Sequence, residues 1–352
     1  MKKYSRMLAL ALSIATAFSM TACGSKPASS TAPSSTPAGS SAAPVAGNIG
    51  EHTWTLGMDS ARDTVTYMYG QKLADEVSAL SGGKMTIDVY TDATLGGDVA
   101  LLESCKDGSV TMVVQTTAPQ VNFIPELAVF DMPVVYPTIQ EFREIFDDAD
   151  FMGKIAGFYD KAGYKLLGYA DQTFRVMSSN KKIEKMADFA GVKIRTMENP
   201  NHMAFWKALG AAPTPMAWGE VYTGLQQGTV IAQENPYAVI AANKIYEVQD
   251  YIIQTNHIPH ILSLIMNPAE YNGLNDEERA ILDQAVAAAT AYAREQADVL
   301  EAEKIKVIEA SGTEIVPVSP EFYAEIKAAA QPAYDLIAGK VGQELVDAYL
   351  GK

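Results

Sequence analysis

Cysteine is nearly missing from this chain: Cys23 and Cys105 are the only two in 352 residues, too few for a disulfide framework. Histidine is scarce as well, with four residues and no H-E-x-x-H helix among them. His257 and His260 flank Ile258-Pro259 and read as loop histidines rather than metal ligands. There is no G-x-S-x-G elbow and no Gly-rich phosphate loop, which takes away the usual starting points for a hydrolase or a nucleotide enzyme. Positive charge is also in short supply. Lys and Arg total 27 against 42 Asp and Glu, a net charge of −15, which argues against nucleic acid and against docking on anionic lipid. No apolar run approaches the ~20 residues of a membrane span.

The longest such run, Met7–Ser19, has thirteen residues and follows the basic Met1–Arg6 segment. Together with Met20-Thr21-Ala22 it reads as a signal peptide over 1–22. The small residues before Cys23 resemble a lipoprotein processing site, with Met20 where Leu is commoner; the other reading is an ordinary cleavable signal. On the first reading Cys23 is lipidated and anchors the protein to the outer face of a membrane. From Gly24 to Gly47 the chain is Ser, Ala, Pro, Thr, Val and Gly with one charge, Lys26. Residues 23–50 are therefore read as the lipidated Cys and a flexible linker. Loss of 1–22 removes Lys2, Lys3 and Arg6 and takes the charge from −15 to −18. Cys105, in VALLESCKDG, reads as a small core residue.

The remaining ~300 residues suffice for two substantial cores. They open as βαβαβ, the pattern of a parallel sheet with helices on both faces: strand Thr53–Met58, helix Thr64–Leu80, strand Met85–Tyr90, helix Gly97–Lys106 and strand Thr111–Gln115. A helix over about Ile139–Ala162 and a strand Tyr164–Tyr169 follow. Further on come strands Tyr251–Gln254 and Ile261–Asn267, a long helix Asp276–Ala310 with Ile281, Ala285, Ala288, Tyr292 and Val299 along one face, and a helical tail Pro320–Leu350.

Lys185–Tyr237 is the densest stretch. Strand Val192–Thr196 carries Arg195 near its carboxyl end, with Val192 and Ile194 on the opposite face. A helix follows with Asn199 as N-cap, Pro200 at its first position and Gly210 past its end. A second α/β unit runs from helix Trp218–Gln227 to strand Thr229–Glu234. Ligands in open α/β sheets sit at such strand ends, and an arginine beside a helix N-terminus there concentrates positive charge. The alternative is a surface arginine in a salt bridge.

GVKIR, then PMAWGEVYTGLQQG, then QENPYA, in this order, resemble the solute-binding proteins of tripartite ATP-independent periplasmic (TRAP) transporters, and the likeness extends from about Trp54 to Leu350. Many relatives carry Asp-Gly before the Gln-Glu where this chain has Ile231-Ala232. The resemblance implies an α/β, two-lobed periplasmic-binding-protein-like fold with a hinge and a long helix spanning both lobes. Lobe I would comprise 51–172 with about 261–300, and lobe II 173–260 with about 301–352. It implies Arg195 as partner of a ligand carboxylate and Arg175 as a second contacting arginine, or else a hinge salt bridge. Trp218 would face the ligand, or pack in the core. Asn235 would read hydroxyls or a carboxylate. The loop Met58–Ser60, with Asp59, and the residues Gln115, Thr116 and Thr117 would reach the cleft or be ordinary loop ends, and Tyr237 would add a hydroxyl or simply pack. The ligand would be a small organic acid, such as a hexuronate, sialic acid or a C4-dicarboxylate. The partner is an ion-gradient-driven permease of two subunit types; no cofactor, ATPase or nucleic acid is expected, and the protein is expected to be a monomer. A secreted hydrolase and an ABC-type binding protein are the competing readings.

Overall fold

The computed structural model describes residues 48–352, so the signal peptide, Cys23 and most of the linker lie outside the described residues. In chain order the elements are β1 (His52–Gly57), α1 (Val65–Leu80), β2 (Met85–Tyr90), α2 (Asp98–Asp107), β3 (Met112–Thr116), α3 (Ile139–Asp147), α4 (Ala149–Ala162) and β4 (Lys165–Ser179). Next are β5 (Lys193–Thr196), α5 (Pro200–Ala208), β6 (Ala212–Pro215), α6 (Trp218–Gln226), β7 (Ala232–Asn235), α7 (Tyr237–Ala242) and β8 (Tyr251–Met266). The chain closes with α8 (Pro268–Gly273), α9 (Asp276–Ser311), β9 (Glu314–Val316), α10 (Pro320–Ala329), α11 (Gln331–Val341) and α12 (Gln343–Tyr349).

Local signals set the boundaries. Thr64 caps α1 by accepting from the Tyr67 amide, and Asn199 caps α5 by accepting from Asn201 and His202 with Pro200 next in line. Asn275 and Glu278 form a capping box on α9. The single helix expected over Ile139–Ala162 is two. Asp148 sits in extended backbone, ends α3 and caps α4 through the Asp150 and Phe151 amides.

The nine strands of the described residues form one sheet in the order β2-β1-β3-β8-β4-β7-β5-β6, with β9 on β8. The expected parallel βαβαβ is present as β2-β1-β3. At the other end β6, β5 and β7 are parallel. The two ends are joined by β4 and β8, which run antiparallel to one another through both halves. Their register shifts between Asp171 and Phe174 and between Arg175 and Met177, and Thr173 has φ 63°, unusual for a threonine. Here two expectations need correction. β4 does not stop at Tyr169, and Tyr251–Met266 is one strand rather than two. His257 and His260 are thus buried strand residues, not loop ones. Pro259 is tolerated in mid-strand because it pairs with Phe174 at the irregularity.

Alternate residues of the strands feed separate cores. Met112 and Val114 join α1 and α9 on one face, while Val113 joins the aromatic cluster of Phe130, Phe142, Phe151 and Tyr349 on the other. In the second half Met177, Ile194 and Ile253 face Trp206 and Phe322, and Val176 and Ile252 face Leu225 and Ile308. Each fully buried aliphatic side chain contributes ~1.5–3 kcal/mol. Cys105 lies in the aromatic core as expected, its thiol pushed up to about 12 by burial.

The buried stripe of α9 runs through Ile281, Ala285, Ala289, Ala293, Ala297 and Ile308. Val299, expected on that stripe, is 55% exposed. The tail is not wholly with the second half either. Phe322 and Ile326 of α10 pack there, but Leu345, Val346 and Tyr349 of α12 return to the aromatic core of the first.

The crossover is fastened from three sides. Arg143 of α3 grips Asp171 with Nε–Oδ2 at 2.8 Å and Nη2–Oδ1 at 2.9 Å, and reaches Asp298 of α9 at 2.9 Å. Gln172 Nε2 donates to Thr66 Oγ1 of α1 at 2.9 Å, and Thr173 Oγ1 donates to Glu301 of α9 at 3.0 Å.

Candidate functional site

Strands β1, β3, β5 and β7 and helices α2 and α6 converge on one cleft. It is lined by Asp59, Ser60, Asp98, Thr116, Arg195, Met197, Trp218, Asn235, Val239 and His260. The space among these residues is only about 30 Å³, and it shares Asp59, Asp98, Arg195, Met197 and Trp218 with a cavity of about 440 Å³ bounded further by Gly97, Glu198 and Ala217. The second volume falls in the range of small-molecule sites. The larger hollows over α10–α12 and between α3–α4 and α9 contain no buried cation.

Arg195 is 3% exposed, brought there because Ile194 packs on the other face of β5. Its Nε and Nη2 donate to the Met216 carbonyl at 2.9 and 2.6 Å. That carbonyl orients the guanidinium and leaves Nη1 for the cleft. Trp218, first residue of α6 and half-buried, has its ring centroid 5.4 Å from the guanidinium carbon. Burial pulls the Arg195 pKa down to about 10, against the attraction of Glu234, Asp98 and Asp59; it remains a cation at neutral pH.

Arg195, Trp218, Asn235, Asp59 and Thr116 are thus brought together. Three expected residues are not. Arg175 is 1% exposed and lies behind the cleft, held by Glu234 through Nε–Oε2 and Nη2–Oε1 (2.9 Å). Its alternative role, a buried salt bridge close to the crossover, is the one it has in the structure. Gln115 points away from Thr116, as alternate strand residues must, and is buried. Tyr237 packs against Val176 and Ile240, its hydroxyl accepting from Gln254 at 3.0 Å.

Arg175 acts on the cleft indirectly. Its Nη1 also meets Nδ1 of His260. A guanidinium can only donate, so Nδ1 accepts and the His260 proton is on Nε2, a donor on a cleft-lining residue. Burial, and then Arg175, hold the His260 pKa well below 6.5. Behind it Glu234 accepts from His257 Nε2 at 3.0 Å, with His202 Nδ1 at 3.7 Å. Burial alone would raise the Glu234 carboxyl, but Arg175, His202 and His257 hold it well below the usual range. His202 Nε2 meets Asp131 at 3.1 Å, and Asn199 and Asn201 donate to that same carboxylate at 2.7 and 2.8 Å.

Ser60 lies in the cleft with the Met58–Ser60 loop as expected, and sequence reasoning missed Asp98, Met197, Val239 and His260. Asp98 follows Gly96-Gly97 at the first position of α2, at the carboxyl end of β2, a placement that marks ligand contacts in open sheets.

A sheet divided by two shared strands, with a buried arginine and an aromatic ring at strand ends between the halves, defines a two-lobed solute-binding protein. The model of the bacterial extracellular solute-binding proteins, family 7, matches residues 56–340, and the chain belongs to that family. The ectoine/5-hydroxyectoine-binding periplasmic protein UehA of Ruegeria pomeroyi is 32% identical over 264 residues, 73% of this chain and 76% of that protein. The sugar acid binding protein DctPAm of Advenella mimigardefordensis, solved with galactonate, superposes with a TM-score of 0.83 at 28% identity, covering 86% of this chain and 98% of its own. A TRAP periplasmic solute-binding protein of Polaromonas, bound to D-erythronate, gives a TM-score of 0.81 at 30% identity over 85% and 98%. The resemblance to TRAP solute-binding proteins therefore holds. These are binding proteins of transport, not enzymes, and they work outside the cytoplasm. No helix among the described residues is long and apolar enough to cross a membrane.

Proposed function

We propose that this chain captures a small organic acid in the cleft and delivers it to a TRAP membrane permease. The observation that carries this reading is Arg195: a buried cation whose Nε and Nη2 are occupied by a carbonyl, leaving one N–H pair at a cavity of fitting size. Arginine's planar fork suits a carboxylate, and charged hydrogen bonds are about twice as strong as neutral ones. Trp218 covers one side, and Asn235, Thr116 and the His260 Nε2–H supply orientation. Galactonate and D-erythronate in the two solved relatives support an acid of this size.

Lobe I comprises 51–172 with about 261–300 and lobe II comprises 173–260 with most of 301–352, α12 returning to lobe I. The lobes close by flexing at the Asp171–Phe174 irregularity, and closure expels water and strengthens the ion pair. The protein acts as a monomer tethered by lipid on Cys23. The test is a thermal-shift screen of the purified mature protein against hexuronates, aldonates, sialic acid, C4-dicarboxylates and amino acids. A binder at about 100 times its dissociation constant stabilises the fold by about 2.7 kcal/mol. Stabilisation by none of them, or an equal response from Arg195→Ala, overturns the reading.

A further inference from the structure

The cleft holds more negative charge than a receptor for a simple anion needs. Asp59 follows β1 and Asp98 opens α2, and their carboxyl groups touch within the same cleft wall as Arg195. The inward side chains offer them few donors. Ser60 Oγ donates to Asp59 Oδ1 at 3.1 Å, and Asp98 Oδ1 is buried with no partner among the described residues. Arg195, nine-tenths buried and lining the same space, spends its Nε and Nη2 on Met216 and bonds neither carboxyl. The cleft therefore has a guanidinium N–H pair to give and, close beside it, carboxyl oxygens with few protons to accept.

We propose, building on the acid-capture reading above, that the ligand is a zwitterion, a small acid whose carboxylate meets Arg195 while its protonated nitrogen sits between Asp59 and Asp98. A ligand bearing only a carboxylate would leave Asp98 Oδ1 unpartnered and bring a third acid into the cleft. A hydroxyl brings one proton to donate, whereas a primary ammonium brings three and a charge that both carboxyls share. Burial holds the Asp59 carboxyl above the usual range, and burial followed by the neighbouring Asp59 holds Asp98 well above it, so a ligand cation would take the place of the proton that the empty pair keeps. The other charged group close to the pair is Glu198, of the same sign. Arg195 attracts both acids but bonds neither, so the pair keeps room for a cation that can donate to both.

The experiment uses matched acids on the mature protein: 4-aminobutanoate against 4-hydroxybutanoate, proline against tetrahydrofuran-2-carboxylate, and galactonate and erythronate as polyhydroxy acids. Calorimetric titration is expected to show an ammonium acid binding at least tenfold tighter than its oxygen counterpart. Asp98→Asn and Asp59→Asn are each expected to erase that preference while sparing the melting temperature. Tighter binding of the hydroxy or polyhydroxy acids, lost in Arg195→Ala, overturns the zwitterion and leaves acid capture standing. Binding that survives Arg195→Ala, or no binding in either arm, overturns both.

Discussion

The guanidinium of Arg195 lies over the ring of Trp218, 5.4 Å from carbon to centroid, with the Met216 carbonyl fixing its far edge. Two neighbours thus aim one cation. Arg195→Ala is expected to leave a ligand carboxylate unpaired at ~3–5 kcal/mol. Affinity then falls at least about a hundredfold, at 1.4 kcal/mol per tenfold. Arg195→Lys keeps the charge without the fork and recovers only part of it. Calorimetric titration with the best acid from the screen, beside a melt of each variant, checks both.

Trp218→Ala is expected to weaken binding roughly threefold to tenfold, the share of one aromatic contact. Because the ring is only half-buried, stability should fall by well under the ~3–5 kcal/mol of a core aromatic. Ligand should also change tryptophan fluorescence, and this change should vanish in the variant. Chemical denaturation that instead shows a core-sized loss with affinity intact would make Trp218 a packing residue.

Arg175→Ala has a different expected signature. It leaves Glu234 buried with its strongest partner gone, at ~3–5 kcal/mol of stability. The double variant Arg175→Met, Glu234→Gln should regain part of that loss, since a neutral amide is cheaper to bury than a carboxylate. Equilibrium unfolding in urea measures both. A stable Arg175→Ala with hundredfold weaker binding would put Arg175 in contact with ligand after all.

The buried histidines predict a stability maximum near pH 6.5. Burial alone would lower the His202 pKa, but Asp131 and Glu234 raise it to about 9. A raised histidine contributes stability that is complete below its ordinary 6.5 and is lost as pH climbs through 9, on the order of 3 kcal/mol in all. His257 and His260 are held below 6.5 by burial and Arg175, so they cost stability as pH drops under 6.5, where the unfolded chain takes up protons they refuse. Melting temperatures across about pH 5–10 test this. His202→Asn should flatten the alkaline arm and leave the acid arm in place.

Cys23→Ala should abolish fatty-acid labelling of cells expressing the protein. The variant should either be retained with its signal uncleaved or be released. Continued labelling with a clickable fatty acid would place the lipid elsewhere or remove the anchor from the account.

How much was readable follows from the range of each signal. Thr64, Asn199 with Pro200, and Asn275 with Glu278 mark helix starts within four residues of themselves, and the Asn199 cap lies where expected. Arg195 was readable because strand alternation is local. Arg175 was readable only as one of two roles, because its partner Glu234 is 59 residues away and nothing nearby announces it. β8 was cut in two because Pro259 and two histidines look like a loop, when the break they suit is a register shift against β4. Asp98 was overlooked because an acid at a helix start already has a sufficient local reason in the helix dipole.

The two halves share β4 and β8, and these strands stay paired on either side of the Asp171–Phe174 irregularity. A ribbon of this kind bends the way a leaf spring does: it stores elastic energy along its length and returns without any bond being remade. On the closure proposed above, open and closed forms would differ by curvature rather than by a broken ladder, and the stiffness of that ribbon, with the Arg143 clasp on Asp171 as its clamp, would set how quickly a captured molecule is let go. Release rate can be tuned there, far from any atom the ligand touches.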